Sequence, residues 1–242
     1  MSMTQTQLQE NRLDLETFRR ALKIRPATRA DLVFIAWCNY QASSPAPHFC
    51  YWDPLLKGLD TPTMTFIEAM LRADALAHGR VEDFCVVEFE GRLIAGASGF
   101  SMAPDNYRPL RLPHLPQLAE LLGWTVEQQA QFVTRYQNVW ADPRDPSLAP
   151  QAPWIIECVA VVSDQRGRGV VRVLLNAILD EGRRRGHSHA GISVTHGNEP
   201  ARRVYEAVGF KLYLDYGSEY FDGYFPGTTK YRMQLKSRAN AD

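Results

Sequence analysis

The chain has 242 residues, enough for one large domain or for a domain carrying an insertion. Its 27 lysines and arginines balance 27 aspartates and glutamates, which excludes the basic excess of a nucleic-acid-binding surface. No apolar run is long enough to span a membrane, and Cys38, Cys50, Cys85 and Cys158 form no C-x-x-C pair, so the expectation is a cytoplasmic protein with free thiols and no membrane partner.

Residues 1–11 are polar and are expected to fray. Leu15, Phe18 and Leu22 share a helical stripe, so a short helix is expected over Asp14–Leu22, making 1–22 an N-terminal extension. A domain is expected over 23–237. Leu22–Pro26 reads as its first strand. Thr28 and Asp31 have capping-box spacing ahead of a helix that buries Leu32, Ile35 and Ala36. Ser43–Pro54 reads as a loop rich in proline, serine and aromatics. Thr63–His78 reads as a helix carried by Phe66, Ile67, Met70 and Leu71.

Asp83–Ser101 is the clearest hairpin, with Glu90, Gly91 and Arg92 as its turn. Gly96 and Gly99 in the return strand point to a bulge or a close backbone approach. Residues 103–153 read as an insertion before the central strand. Prolines at 104, 109, 113, 116, 143, 146 and 150 surround a helical pattern over Leu115–Trp140. Loops of this length are often functional, though a packing ornament is the plainer alternative.

Trp154–Gly186 organises the chain as strand, glycine loop and helix. Trp154–Val162 is apolar and β-branched. Ser163–Gly169 is turn chemistry. Val170–Arg185 places Val170, Leu174 and Ile178 on one stripe, and Gly186 suits the left-handed residue that ends a helix. Gly167 and Gly169 let a ligand approach free helix amides, and Arg166 and Arg168 add charge, so a pyrophosphate suits this loop as well as a plain tight turn does. His189–Thr195 is a short strand. Asn198 caps a helix over Ala201–Val208, with Pro200 in its first turn and Gly209 at its end. Phe210–Tyr216 and Thr229–Leu235 read as two last strands. Between them, Tyr220, Phe221, Tyr224 and Phe225 line a pocket or cap the core.

Two stretches resemble the GCN5-related N-acetyltransferases (GNAT). V-A-V-V-S-D-Q-R-G-R-G-V is similar to the family's acyl-CoA loop. N198-E-P-A-R-R-V-Y-E-A-V-G-F210 is similar to its N-x-x-A-x-x-x-Y-E-x-x-G-F helix. Val171 or Asp164, depending on register, departs from the loop pattern. The resemblance implies an α/β fold with a mixed, mainly antiparallel central sheet flanked by helices. It implies transfer of acetyl from acetyl-CoA to a primary amine by direct attack, with acetyl-CoA as donor substrate and no metal. The arm of the donor would lie along the backbone of Val159 and Val161 beside the compact Ala160. Arg166, Gly167, Arg168, Gly169 and Val170 would receive its phosphates, and Asn198 and Arg202 would flank it. Tyr205 matches the tyrosine that gives a proton to the leaving thiolate.

An alkylammonium with a pKa of roughly 10.4 must lose a proton before it attacks. Glu157, expected buried among Ile155, Ile156 and Val159, is the candidate base, a structural carboxylate being the alternative. Alternation places it on one face with Val159 and Val161. Cys158 as nucleophile, His187 with His189 as a metal pair, and His196 in acceptor binding are weaker candidates. Trp37, Tyr40, Tyr51, Trp52 and Tyr107 are candidate walls of the acceptor pocket. They favour a small-molecule or amino-acid-like amine. A non-catalytic acyl-CoA-binding sensor and a decayed structural homologue are the rival readings. The oligomeric state is left open, a homodimer included.

Overall fold

β-branched and aromatic runs make seven strands among the described residues, and these join one sheet in the order β1-β2-β3-β4-β5-β7-β6 in a computed structural model of the chain. The structure describes residues 15–46, 48–102, 107–139, 141–217 and 227–235. Residues 1–11, Asp14, Pro104, Trp140 and the aromatics Tyr220, Phe221, Tyr224 and Phe225 lie outside the described residues. The strands are β1 (Lys23–Pro26), β2 (Phe84–Phe89), β3 (Arg92–Ser101), β4 (Trp154–Val161), β5 (His189–Thr195), β6 (Lys211–Tyr216) and β7 (Thr228–Gln234). Every neighbouring pair is antiparallel except β4 and β5. Helices flank both faces, which is the mixed α/β class expected.

The helices are α1 (15–21), then α2 (Leu32–Ala42), α3 (Asp53–Leu56), α4 (Thr63–Arg72), α5 (Leu115–Leu122), α6 (Val126–Val139), α7 (Val170–Arg184) and α8 (Glu199–Val208). One face of the sheet carries α2 to α6 over a core that includes Ile35, Phe66, Met70 and Phe132. The other carries α1, α7 and α8 over Phe18, Trp154, Leu174, Ile178 and Tyr205. Trp154 is fully buried and donates from Nε1 to the Ile178 carbonyl at 3.1 Å. A Cβ on Gly182 would lie 2.7 Å from its ring and one on Gly99 2.8 Å, so two glycines make room for one indole. Asp31 cements the start of α2: it accepts from the Thr28 amide at 2.8 Å and takes both terminal nitrogens of Arg25.

Among the departures from the sequence expectation, three shape the sheet and its surroundings. The β2–β3 turn is the two-residue Glu90-Gly91, both at positive φ (50° and 77°), whose twist matches the strands, and Arg92 already belongs to β3. Helix α4 stops at Arg72 and does not reach His78, because Asp74 turns left-handed at φ 51° and Leu76 bridges to Leu110. The third concerns β4. Gly96 pairs with Ala160 and Ser98 with Glu157, so Ala97 alone opposes both Cys158 and Val159. This is a β-bulge, with Cys158 at φ 56°. It shifts the alternation by one residue. Cys158 and Ala160 pack toward the α2 side and Val159 and Val161 toward the α7 side, so Glu157 does not share a face with Val159 and Val161 as simple alternation predicts.

The bulge follows directly on the end of β4–β5 pairing. These strands pair only through Trp154, Ile155 and Ile156 with Ala190, Gly191 and Ile192. Beyond that β5 continues along β7 as far as Thr195, while β4 stays with β3. An opening therefore forms between β4 and β5. The helical pattern over Leu115–Trp140 resolves into two helices within residues 107–139, α5 and α6, with Phe132 packed on Phe66 and Trp124 at 5.3 and 5.2 Å. The segment that returns from them to β4 lies against β7, where Lys230 donates to the carbonyls of Pro146 and Ala149, both at 2.6 Å.

Candidate active site

A cavity of about 780 Å³ lies at the β4–β5 opening, lined by Glu157, Cys158 and Val159 of β4, by 192–195 of β5 and 196–197 after it, by Asn198 at the cap of α8 and by Tyr205 of α8. The remaining walls include Tyr51, Trp52, His78, Tyr107, Tyr216 and Lys230.

Glu157 leaves β4 just before the bulge. Its side chain is 32% exposed, not buried among its apolar neighbours as expected, because it turns into the cavity. The Tyr107 hydroxyl donates to Glu157 Oε1. His78 Nδ1 lies 3.8 Å from Oε2. Burial, with the carboxylate beside it, holds the Tyr107 phenol above its ordinary range. Lys230 is 1% exposed, and its ammonium lies over the rings of Tyr216 and Tyr107 at 5.2 and 5.7 Å. Burial pulls its pKa down to about 8.

Tyr205 faces the same cavity from α8. Asn198 caps that helix by accepting from the Ala201 amide at 3.3 Å, and Gly209 closes it at φ 113°. The Tyr205 ring packs against Phe210 at 6.4 Å, and its hydroxyl has no hydrogen-bond partner among the described residues. Burial raises its phenol further, so it stays protonated at neutral pH. Glu157 of β4 and Tyr205 of α8 thus line one cavity at the opening.

The glycine loop lies beyond the cavity, at the start of α7. Gly167 and Gly169 are both left-handed, at φ 77° and 84°, so each suits glycine. Arg166 Nε donates to the Val161 carbonyl at 3.1 Å. Arg168 bonds Gln165 at 2.8 Å, and its guanidinium lies 3.5 Å from the centre of the Phe18 ring. Helix α1 therefore packs on the loop, and Arg19 reaches over Gly169. Val170 is buried at the first turn of α7. The Val162 amide donates to the Ile94 carbonyl, so Val161 exchanges no bonds with Ala95 and its own N–H and C=O point away from β3, toward the opening. Asp164 is held by Arg92 at 2.8 Å, and Val171 packs on the α7 core. Arg202 is held by Glu199 at 2.8 Å on the exposed face of α8.

The family profile for "Acetyltransferase (GNAT) family" matches residues 50–210. The chain belongs to this family. It is an acyltransferase of the N-acetyltransferase type. Solved structures share its fold: an N-acetyltransferase from Staphylococcus aureus Mu50 is 20% identical, with 87% of this chain and 100% of that chain covered and a TM-score of 0.57. A GCN5-related N-acetyltransferase from Kribbella flavida is 16% identical over 90% of this chain and 99% of its own, with a TM-score of 0.53. No curated protein sequence matches the chain.

Of the residues singled out in the sequence of this GNAT protein, Glu157, Val159, Asn198 and Tyr205 meet at one cavity, while Arg166, Gly167, Arg168, Gly169 and Arg202 lie outside its walls. Tyr51, Trp52 and Tyr107 line it, but Trp37 and Tyr40 do not. His196 lines it too, bonded through Nε2 to Asp215, which also accepts from Thr229 Oγ1 at 2.8 Å. Cys158 is a poor nucleophile here, because burial holds its thiol well up. His187 and His189 instead contact the hydroxyls of Ser101 and Ser188 at 2.8 and 3.0 Å. No group of three His, Cys, Asp or Glu among the described residues is placed to hold a metal, and no described helix is long and apolar enough to cross a membrane. His78, Lys230 and Tyr216 are among the wall residues that sequence reasoning did not find. Each reaches the cavity through contacts far along the chain, so no local signal marks them.

Proposed function

We propose that this chain transfers the acetyl group of acetyl-CoA to the primary amine of a small or amino-acid-like acceptor, by direct attack. The observation that carries the reading is the joint placement of Glu157 and Tyr205 on one cavity at the β4–β5 opening. The Val161 amide there points toward the opening and would bond an extended ligand, as in strand addition to a sheet edge, while its carbonyl already accepts from Arg166 Nε. The residues fit such a donor: Val159 and Val161 would take its arm, and Arg166 to Val170 its phosphates at the left-handed glycines. The acetyl thioester supplies an activated acyl carbon. The rest belongs to this chain: Glu157 accepts a proton from the acceptor nitrogen, and Tyr205 gives its phenolic proton to the departing sulfur. The mixed hydroxyl, amide and aromatic walls, with Lys230 and Glu157 as ionisable groups among them, support a small polar amine. The domain we assign runs over 23–237, with 103–153 as an insertion and 1–22 as an extension. A cytoplasmic location accords with four free cysteines.

The test is release of free CoA across a panel of amino acids and small amines, with the acetylated product identified by mass spectrometry. Amine-dependent release that fails in both Glu157→Gln and Tyr205→Phe supports the reading. Release that is the same with and without amine contradicts it.

A further inference from the structure

The acceptor nitrogen enters as an ammonium and leaves as an amide. It loses two protons on the way: one before the lone pair can form the N–C bond, one as that bond forms. The C–S bond breaks, and one proton returns to the sulfur through Tyr205, so one net proton must leave the site. Glu157 alone holds only one proton at a time.

The structure places a second acceptor behind it. His78 is 9% exposed and lies flat between Phe100 and Tyr107, with ring centroids 4.8 and 5.1 Å away. Its Nε2 lies 3.4 Å from the Tyr107 carbonyl oxygen. A carbonyl only accepts, so Nε2 carries a hydrogen, and Nδ1, 3.8 Å from Glu157 Oε2, is the ring atom that can exchange a proton with the carboxyl. The same residue, Tyr107, thus fixes both partners: its carbonyl sets the ring and its hydroxyl holds the other carboxylate oxygen. The other charged or titratable groups nearby are Cys158 of β4, Tyr216 of β6, Lys230 from β7, and Asp83 with Arg80 ahead of β2. None of these presents a basic nitrogen lone pair to Glu157. We propose that His78 is the proton-relay partner of Glu157, taking from the carboxylate on Nδ1 the first proton that leaves the acceptor ammonium, so that Glu157 is free to take the second. His78 touches no reacting atom in this scheme. It acts through Glu157 and passes its proton to solvent after turnover, while the second proton, held on Glu157, goes to restore the Tyr205 phenol, so that one net proton leaves. The proposal rests on the acetyltransferase reading above.

The experiment is chemical rescue in the full-length protein. His78→Ala should bind acetyl-CoA as the wild type does, by thermal shift, yet lose about a hundredfold in kcat with little change in KM. Free imidazole should restore about tenfold, saturably, by occupying the vacated slot. His78→Gln keeps an N–H donor for the Tyr107 carbonyl but cannot carry the proton and leaves no slot, so it should be as slow and should not respond to imidazole. A folded His78→Ala that binds acetyl-CoA but is not rescued, or a His78→Gln with wild-type kcat, overturns the relay and leaves the acetyltransferase reading standing. An independent check needs no acceptor: ¹⁵N NMR of the imidazole should show the neutral ring protonated at Nε2. A ring protonated at Nδ1 would overturn the proposal, whereas a wild type that acetylates no amine would instead overturn the reading beneath it.

Discussion

Tyr205 and Glu157 differ in what their neighbours demand of them, and conservative substitutions separate the two roles. The Tyr205 ring is core, packed on Phe210, while its hydroxyl meets the cavity. Tyr205→Phe keeps the packing, so kcat should fall about a hundredfold while Tm and acetyl-CoA affinity hold. Stopped-flow turnover beside thermal unfolding checks this. Lys230 permits a prediction about stability. Burial lowers its pKa from 10.5 to about 8, so the unfolded chain binds the extra proton between those values. Folding stability should therefore rise as pH climbs from about 8 to 10.5 and level off on either side. The neutral amine still has two N–H donors for the carbonyls of Pro146 and Ala149. Denaturant titrations across this range should show the rise in the wild type and lack it in Lys230→Met. A parallel pair of curves would contradict it. At this scale Glu157 and Asn198 could be placed on the cavity from strand and cap patterns and Tyr205 from its resemblance to the family's helix motif. His78 and Lys230 were silent because partners 79 and 81–84 residues away define them.

The bulge in β4 is the element on which the site depends. Cys158 at positive φ puts two residues opposite one, turns Glu157 to the cavity and coincides with the parting from β5. A β-branched residue is costly in that conformation and glycine is not. Cys158→Val should lose about 1–3 kcal/mol of stability and most of the acetyl-CoA affinity, whereas Cys158→Gly should stay close to the wild type. Chemical denaturation and a binding titration read both. Under α7, a Cβ at Gly182 would press into the Trp154 indole, so Gly182→Ala should cost about 1–3 kcal/mol without touching the site. The strand, the glycine loop and α7 were legible in Trp154–Gly186, since period and turn chemistry are local. The bulge was not: alternation assumes even pairing, and the extra residue exists only against β3. The early stop of α4 has the same origin, in a left-handed Asp74 and a bridge to Leu110.

At the scale of the whole molecule, the sheet brings Glu157 and Tyr205, the proposed base and acid, to one cavity at the β4–β5 divergence, with the glycine loop beyond it at the start of α7. Two stretches of sequence, each ambiguous alone, carried that reading because they fall in the right order around one crossover helix. Helix α1 adds what neither stretch showed, since Phe18 and Arg19 pack on the glycine loop from the N-terminal side. The most direct test of the central claim, that this opening holds acetyl-CoA, is thermal unfolding with and without that donor, using free adenine nucleotide as a control. At a hundred times Kd the bound donor should add about 2.7 kcal/mol. For a chain of this size that raises Tm by roughly 5–11 °C. A rise of that size, absent with the control, is the result the account predicts. An unchanged Tm at millimolar acetyl-CoA would contradict it.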